Sequence, residues 1–309
     1  MTTSAPTRSS FALVVLVVAA AFSAPAQAAY HWPVKPFDRE HPIRGSFGDP
    51  RTLFFGPPTR DTLLHGEGDF QFHFGVDISA PNGTPVYPVQ SGVVTRVTDE
   101  EIDVAGAGGL AFEYWHLRAA VHSGDRVTAY ATVLGRIMKP CGHVHLTELD
   151  HGVIVNPLQP GHLTPYTDRT APTVTAIDVH RDGATVDLEA TAQDMPSTRV
   201  RGAWHDLPVT PALLEWRLVD AAGRAVVPTR VVYDVREHLP AQSTFWSVYA
   251  RGTHQNMTTF THFYAYRQPG VYLFRLGEVT LRPGTYRVIV TAVDIRGNHG
   301  SREQRLVVN

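Results

Sequence analysis

Short runs of alternating hydrophobic and polar residues occupy the second half of the chain. They include Val174–Val179, Thr185–Ala190 and Leu214–Val219, and the closing stretch Leu281–Asn298 has the pattern of turn, strand and turn. Successive side chains of a β-strand point to opposite faces, so a period of two predicts strands. No amphipathic helical pattern competes with these runs. The second half is therefore predicted to consist of short β-strands.

Proline and glycine interrupt the chain between two predicted domains. They cluster in Asn156–His162 and again in Thr170–Pro172, which predicts irregular structure there. The chain has 309 residues, and domains commonly contain about 100 to 200. The predicted organisation is a first domain over residues 29–165, a linker over residues 166–172 and a second domain over residues 173–309.

The first 28 residues have the pattern of a secretory signal peptide. A short basic region begins at Arg8, Phe11–Phe22 is apolar, and Ala26-Gln27-Ala28 resembles a cleavage site with small residues. Cleavage is expected after Ala28, which leaves the mature chain secreted or periplasmic. The apolar core is short for a membrane span, so no stable span is expected after cleavage. An uncleaved membrane anchor is the alternative.

Composition and charge limit the partners. The formal net charge is only −2 and the isoelectric point is about 6.8. Long-range attraction to nucleic acid or to anionic wall polymers therefore has no basis in the sequence. Hydrophobic residues make up 43% of the chain, which is enough to form cores. No nucleic-acid partner is predicted, and the oligomeric state is left open.

Two histidines separated by one residue are the strongest sign of chemistry. His143 and His145 would share one face of a strand. Catalytic zinc commonly takes three protein ligands and leaves a fourth position for water, whose pKa falls to about 7. His73, Asp77 and one of the two histidines would supply those ligands, and Gly75 would allow the backbone to approach closely. The sequence therefore predicts a hydrolytic metal site.

Two other residues near these positions have alternative interpretations. His116 falls in the apolar, aromatic run Phe112–Leu117, which predicts a buried strand. Taken singly, such a histidine is more often structural, but it is also a candidate for proton transfer. Cys141 is the only cysteine, so an internal disulfide is excluded. A passive, semi-buried thiol is expected there rather than a nucleophile or an additional zinc ligand.

Three separated motifs together carry a family resemblance. They are His73–Asp77 (His-Phe-Gly-Val-Asp), Tyr114–Leu117 (Tyr-Trp-His-Leu) and His143–His145 (His-Val-His). In this order they resemble the lysostaphin-like (LytM-type) peptidoglycan zinc metalloendopeptidases, whose signatures are His-x-Gly-x-Asp, Tyr-x-His-Leu and His-x-His. Phe47–Arg51 loosely echoes the family's Phe-Gly-x-Arg. The match predicts a zinc metalloendopeptidase with a peptidoglycan peptide as its substrate.

The resemblance also implies a fold and a role for each site residue. It implies an all-β protein with an antiparallel, lysostaphin-like peptidase domain of the duplicated hybrid motif type. One Zn²⁺ per chain would be held by His73, Asp77 and His145, and His116 and His143 would be catalytic. The second domain is similar to immunoglobulin-like or fibronectin type III-like bacterial domains, which predicts an immunoglobulin-like β-sandwich.

Several segments depart from the family pattern. Asp99–Gly109, acidic and rich in glycine, replaces a strand that usually precedes the second motif, and Met138–Gly142 replaces a longer loop before the third. Glu148 is shifted by one residue, which predicts the opposite strand face and no role in the site. Two alternatives therefore stay open. One is a wall-binding or regulatory protein that retains zinc without cutting, and the other is a peptidase for a protein outside the wall.

The remaining histidines and aromatic residues are expected to have other roles. His65, His122, His151 and His162 match no ligand spacing, and most are expected to be solvated, although His65 could approach the mouth of the cleft. An aromatic insertion runs from Phe245–Tyr249 to Phe263–Tyr266. Core packing is its expected use, and binding of glycan or covering of the groove is the alternative.

Overall fold

Strands dominate the structure, which is a computed structural model. It describes residues 29–53, 69–257 and 267–309. The predicted signal peptide, His65 and the aromatic residues 260–266 lie outside the described residues. The described helical segments are single turns, Gly202–Trp204, Gln242–Thr244 and α1 (Phe245–Val248), and none of them could cross a membrane. The all-β prediction is confirmed.

The described strands of the first half form one large antiparallel sheet and two small ones. The strands are β1 (Ile43–Gly45), β2 (Pro50–Leu53), β3 (Asp69–Phe72), β4 (Val76–Ser79), β5 (Pro85–Val86), β6 (Gly92–Val97), β7 (Glu101–Ala105), β8 (Leu110–Trp115), β9 (Leu117–Ala119), β10 (Arg126–Val127), β11 (Gly135–Ile137), β12 (His143–Asp150) and β13 (Val153–Val155). The large sheet has the order β1-β4-β12-β8-β7-β6-β10, with β13 added to β12. The small sheets are β5-β11-β9 and β2-β3.

Side chains on the central strands alternate between a face that points into the hydrophobic core and a face that carries the candidate site. On β12, Val144 and Leu146 are fully buried in the hydrophobic core, and His143 and His145 take the other positions of the alternation. Strand β8 alternates in the same way, with Phe112 and other apolar side chains buried. The prediction that His143 and His145 share one face of a strand agrees with this arrangement.

Two expectations about the strands near the site were wrong. Glu101–Ala105 is strand β7, paired with both β6 and β8, so the segment that was expected to lack a strand contains one. Ile102 and Val104 are buried between the acidic positions, which gives the strand its apolar face. The strand expected over Phe112–Leu117 is interrupted at His116, whose φ is +66°.

The described strands of the second half form two sheets that share the hydrophobic core. They are β14 (Thr173–Asp182), β15 (Thr185–Gln193), β16 (Leu213–Asp220), β17 (Ala225–Asp234), β18 (Leu273–Thr280), β19 (Gly284–Val293) and β20 (His299–Val308). The sheet orders are β14-β15-β18 and β17-β16-β19-β20. The three alternating runs lie within β14, β15 and β16, and the closing stretch Leu281–Asn298 contains β19, as predicted. The domain boundaries and the immunoglobulin-like assignment stay predictions, and residues 156–172 contain no strand.

An aromatic seam joins the two halves of the molecule. It consists of Phe70, Phe72, Phe245, Trp246 and Tyr249, whose neighbouring rings lie 4.7–5.8 Å apart between centroids. The hydroxyl of Tyr249 also donates a hydrogen bond to a first-half carbonyl oxygen, 2.9 Å away. The core-packing interpretation therefore holds for the described part of the insertion, and the seam lies against the strand that precedes His73.

Candidate metal centre

Three predicted ligands meet beside the adjacent strands β4 and β12 of the large sheet. His73 follows β3, Asp77 lies on β4, and His145 on β12 is paired in register with Asp77. The Nε2 atom of His73 is 2.8 Å from Nδ1 of His145, and each of these nitrogens is 3.2 Å from Oδ1 of Asp77. All three residues are buried. They form a compact group of one carboxylate and two imidazole donors.

Hydrogen bonds outside the group orient both imidazole rings. The Nδ1 atom of His73 lies 2.8 Å from the carbonyl oxygen of Ser46, so it carries the proton and donates it there. The Nε2 atom of His145 lies 3.0 Å from Oγ1 of Thr147 and can donate to that hydroxyl oxygen. Both lone pairs then point toward Asp77. Such outer contacts fix the tautomer of histidine ligands in metal sites.

The three donor atoms of the group face one another with lone pairs. Burial and the adjacent Arg51 lower the pKa of His73 to about 3, so this ring is neutral near pH 7. Burial alone would raise the pKa of Asp77, but His73, His143 and Arg51 hold it well below its usual range. Two neutral nitrogens and a carboxylate oxygen therefore face one another, and a metal ion would satisfy all three.

The donor set fits zinc. Ligands at about 2.0–2.1 Å in a tetrahedron are separated from one another by roughly 3.3 Å, close to the 2.8 and 3.2 Å separations of this group. Two imidazoles and one carboxylate also match the three-ligand pattern of catalytic zinc, which keeps one position free of protein. Imidazole and carboxylate ligands accept other transition ions as well.

Two successive ion pairs connect Asp77 to Arg51 and Arg51 to Asp49. The Nη2 atom of Arg51 is 2.9 Å from Oδ2 of Asp77, and its Nη1 atom is 3.4 Å from Oδ2 of Asp49. Asp49 accepts hydrogen bonds from the backbone N–H of Thr210 at 2.9 Å and from its hydroxyl at 2.7 Å. This series of contacts therefore runs from the second half of the protein to a candidate ligand. No role was predicted for Arg51 from the sequence, although the loose match of Phe47–Arg51 to Phe-Gly-x-Arg indicated that this arginine could belong to the site.

The two predicted catalytic histidines lie side by side at the edge of the group. The rings of His116 and His143 are 4.5 Å apart between centroids. Nδ1 of His143 is 2.8 Å from the carbonyl oxygen of Cys141 and donates to it, which leaves Nε2 toward Oδ1 of Asp77 at 3.4 Å. Burial lowers the pKa values of both rings. His143 touches one ligand but does not belong to the compact donor group.

The backbone of His116 is held in an unusual conformation. Its φ of +66° lies in the left-handed region, which residues other than glycine adopt at a cost of roughly 1–3 kcal/mol. Its carbonyl oxygen accepts a hydrogen bond from the N–H of Met138, 2.8 Å away. The side chain is 30% exposed, so it borders His143 on one side and reaches solvent on the other.

Other predicted positions lie outside the group. The Cys141 thiol is semi-buried as expected, and burial raises its pKa. Glu148 is on the opposite face, where it is buried and accepts a hydrogen bond from Tyr30. His122 and His151 are exposed, as predicted. The expectation of a solvated residue was wrong for His162, because its ring packs 2.9 Å from Glu148 and is only 12% exposed.

A cluster of acidic side chains on the sheet of the candidate ligands was not predicted from the sequence. Glu101, Asp103 and Glu113 bring their carboxylates within 4.8 Å of one another. In the strand registers, Glu101 pairs with Trp115, which pairs with His145, so these carboxylates lie on the same sheet as the ligand. The sequence signal was the alternation of acidic and apolar residues in β7.

Gly75 provides a direct test of the close approach at the site. A Cβ there would press against the carbonyl oxygen of Leu146 and lie 2.7 Å from Nε2 of His145. We expect Gly75→Ala to lower the free energy of unfolding by about 1–3 kcal/mol, as overpacking does, and to weaken zinc binding. Urea unfolding and zinc titration would measure both effects.

Gly284 supplies the matched control. Its nearest neighbours for an added Cβ are ring atoms of Tyr286 at 3.4 Å, an ordinary contact. Gly284→Ala should retain normal zinc binding. Equal zinc affinities for the two variants and the wild type would contradict the close-approach argument.

The comparisons with known proteins concern part of the chain. No protein-family model matches, and no curated protein matches. Among solved structures, the chain is similar to the SpoIIQ–SpoIIIAH pore-forming complex, with 20% identity, a TM-score of 0.33, and coverage of 43% of this chain and 90% of the other. It is also similar to a zinc-containing peptidase from Vibrio cholerae, with 20% identity, a TM-score of 0.33, and coverage of 42% and 39%.

A third similar structure is the catalytic domain of a mutant of the prophage-encoded M23 protein EnpA from Enterococcus faecalis. The identity is 24% and the TM-score 0.30, with coverage of 43% of this chain and 97% of the other. M23 is a name for lysostaphin-like peptidases. The similarity to such peptidase domains thus extends over about 43% of this chain.

Proposed function

We propose that the protein is an exported zinc-dependent endopeptidase that hydrolyses peptide bonds in the cross-bridges or stem peptides of peptidoglycan. The observation that carries the proposal is the convergence of His73, Asp77 and His145, whose donor atoms lie 2.8–3.2 Å from one another with their lone pairs facing inward. The substrate class and the exported location are supported by the three sequence motifs and by the pattern of residues 1–28.

The residues of the chain have distinct roles in this proposal. His73, Asp77 and His145 hold one Zn²⁺, and Arg51 keeps the carboxylate of Asp77 ionised. When bound, zinc would lower the pKa of water to about 7 and polarise the scissile carbonyl group. His143, neutral and anchored on the carbonyl oxygen of Cys141, presents Nε2 to accept a proton.

His116 completes the proposed site on its solvent-exposed side. Its ring packs beside His143 and is partly exposed, so a substrate bound next to the candidate ligands could touch it. A neutral imidazole there can donate a hydrogen bond to the oxyanion that develops on the peptide carbonyl.

Replacement of His143 separates metal binding from catalysis. We expect His143→Ala to retain about one zinc per chain and to lose about 100- to 10,000-fold in turnover, the usual contribution of a proton-transfer group. The zinc-loaded mature chain would be incubated with purified peptidoglycan, and released fragments would be identified by mass spectrometry. Metal-depleted protein and His143→Ala would run in parallel.

The outcomes distinguish the proposed function from its alternatives. New peptide termini that are absent from both controls would support hydrolysis and identify the bond. A folded, zinc-loaded wild-type protein that binds wall peptides and produces no new termini would instead assign a binding or regulatory role. Cleavage of a glycine-rich protein with intact sacculi untouched would assign a substrate outside the wall.

A further inference from the structure

A second group of acidic side chains, distinct from Glu101, Asp103 and Glu113, lies where the interdomain segment meets the second half. Asp168 belongs to the segment that precedes β14, Asp194 follows β15, and Asp294 follows β19. One ligand oxygen from each carboxylate lies within 4.8 Å of the others. The exposed fractions of the three residues are only 5%, 5% and 2%. These carboxylates are therefore desolvated together.

Hydrogen bonds satisfy most of the oxygens, but one buried oxygen has no partner. Oδ1 of Asp168 accepts hydrogen bonds from the backbone and hydroxyl groups of Thr170 and Ser197. Oδ2 of Asp168 is buried and has no hydrogen-bond partner. A buried carboxylate oxygen without a partner is costly, because it has lost water and gained nothing in return. Its free lone pairs indicate a missing positive ligand.

Neighbouring cations do not neutralise the group. Among the described residues, no side-chain nitrogen of Lys, Arg or His lies within 4.0 Å of a carboxylate oxygen of these three residues. Arg296 stacks over the ring of Tyr166, with its guanidinium carbon 5.1 Å from the centroid. Burial and the charge of Asp168 raise the pKa of Asp194 to about 8. Either a cation or a trapped proton must therefore compensate the charge.

The donor chemistry selects the cation. All three donors are carboxylate oxygens, with no imidazole or thiolate, which suits a hard divalent ion. Ca²⁺ binds oxygens at about 2.3–2.6 Å, so oxygens on opposite sides of one ion are roughly 4.6–5.2 Å apart. One oxygen from each of the three carboxylates lies within 4.8 Å of the others, so all three can contact one such ion. Donors from three separate loops also fit the flexible geometry of Ca²⁺ better than the strict octahedron of Mg²⁺.

We propose that Asp168, Asp194 and Asp294 bind one Ca²⁺ ion, which fastens the interdomain segment to the second half of the protein. Additional contacts converge on the same junction. Asn298 donates to the backbone carbonyl of Asp168 at 3.1 Å and to Oδ2 of Asp294 at 2.6 Å. Glu40 of the first half accepts hydrogen bonds from the segment and from the loop after Asp194. The ion would therefore stabilise the junction of both halves.

Calcium titration of the mature chain tests the proposal. Protein in calcium-depleted buffer, with zinc held constant in every sample, is titrated with CaCl₂ and followed by calorimetry and thermal unfolding. We expect one binding event per chain and a rise in Tm of about 5 °C or more at calcium concentrations about 100-fold above the dissociation constant. An absence of both effects in folded wild-type protein would overturn the proposal, as would an equal response to MgCl₂.

Asp194→Asn is the variant of choice, because its amide oxygen can still accept the hydrogen bond from the N–H of Met195. We expect it to lose the calcium-dependent rise in Tm and, without calcium, to be at least as stable as the wild type, since one buried like charge is gone. Asp178→Asn, on the exposed face of β14, is the matched control and should respond like the wild type. A full calcium response in Asp194→Asn would show that the charge is compensated in another way.

Discussion

Replacing His145 with alanine is expected to remove zinc from the protein. One of three donors would be lost, and the lone pair of His73 would face an empty space in place of a shared ion. Loss of an outer hydrogen bond to a ligand costs about 10- to 100-fold in metal affinity, and loss of a direct ligand costs more. Zinc content after dialysis should fall from about one ion per chain to a trace, and peptide hydrolysis should disappear with it.

The control for this change is an exposed histidine on the same half. The His122 side chain is 90% exposed, so His122→Ala should retain zinc and activity. Retention of stoichiometric zinc by folded His145→Ala would contradict the ligand assignment. Loss of zinc from His143→Ala, with His145→Ala unaffected, would exchange the roles of the two histidines on β12.

Truncating Phe245 in the aromatic seam is expected to produce the largest loss of stability. The side chain is buried and packs against Phe70, Phe72 and Tyr249 at ring distances of 5.0–5.6 Å. Phe→Ala in a core costs about 3–5 kcal/mol, from lost burial and from the cavity that remains. Urea unfolding of zinc-loaded protein should show a loss of this size, and Tm should fall by roughly 6–20 °C.

Val231 provides the comparison for this stability measurement. It lies on β17 with 60% of its surface exposed, so Val231→Ala should change the free energy of unfolding by less than about 0.5 kcal/mol. A cost below about 1 kcal/mol for Phe245→Ala would mean that the seam contributes little to the folded state.

Local rules recovered the strands and part of the candidate site. The period of two put His143 and His145 on one face, and a glycine between His73 and Asp77 indicated a close approach of backbone. Both features depend on a few consecutive residues, which a sequence displays directly. Spacing alone left the choice between His143 and His145 open, because residues two apart on a strand are equivalent until the pairing register is known.

The features that were missed depend on long-range contacts or on backbone conformation. Thr210 reaches Asp49 across 161 positions of sequence, and no periodicity connects them. His116 follows a strand pattern but takes a left-handed φ, which side-chain character does not encode. His162 is polar and lies among prolines and glycines, but its ring packs 2.9 Å from the buried carboxylate of Glu148.

The contact chain from Thr210 through Asp49 and Arg51 to Asp77 affects how this protein can change over evolutionary time. A gene fusion that exchanged the C-terminal half for an unrelated module would leave Asp49 buried beside the site without the two donors of Thr210. The loss would weaken the position of Arg51, which pairs with Asp49 and holds the candidate ligand Asp77. The two halves are therefore expected to be inherited together and to diverge as one unit, unlike modules that are freely recombined.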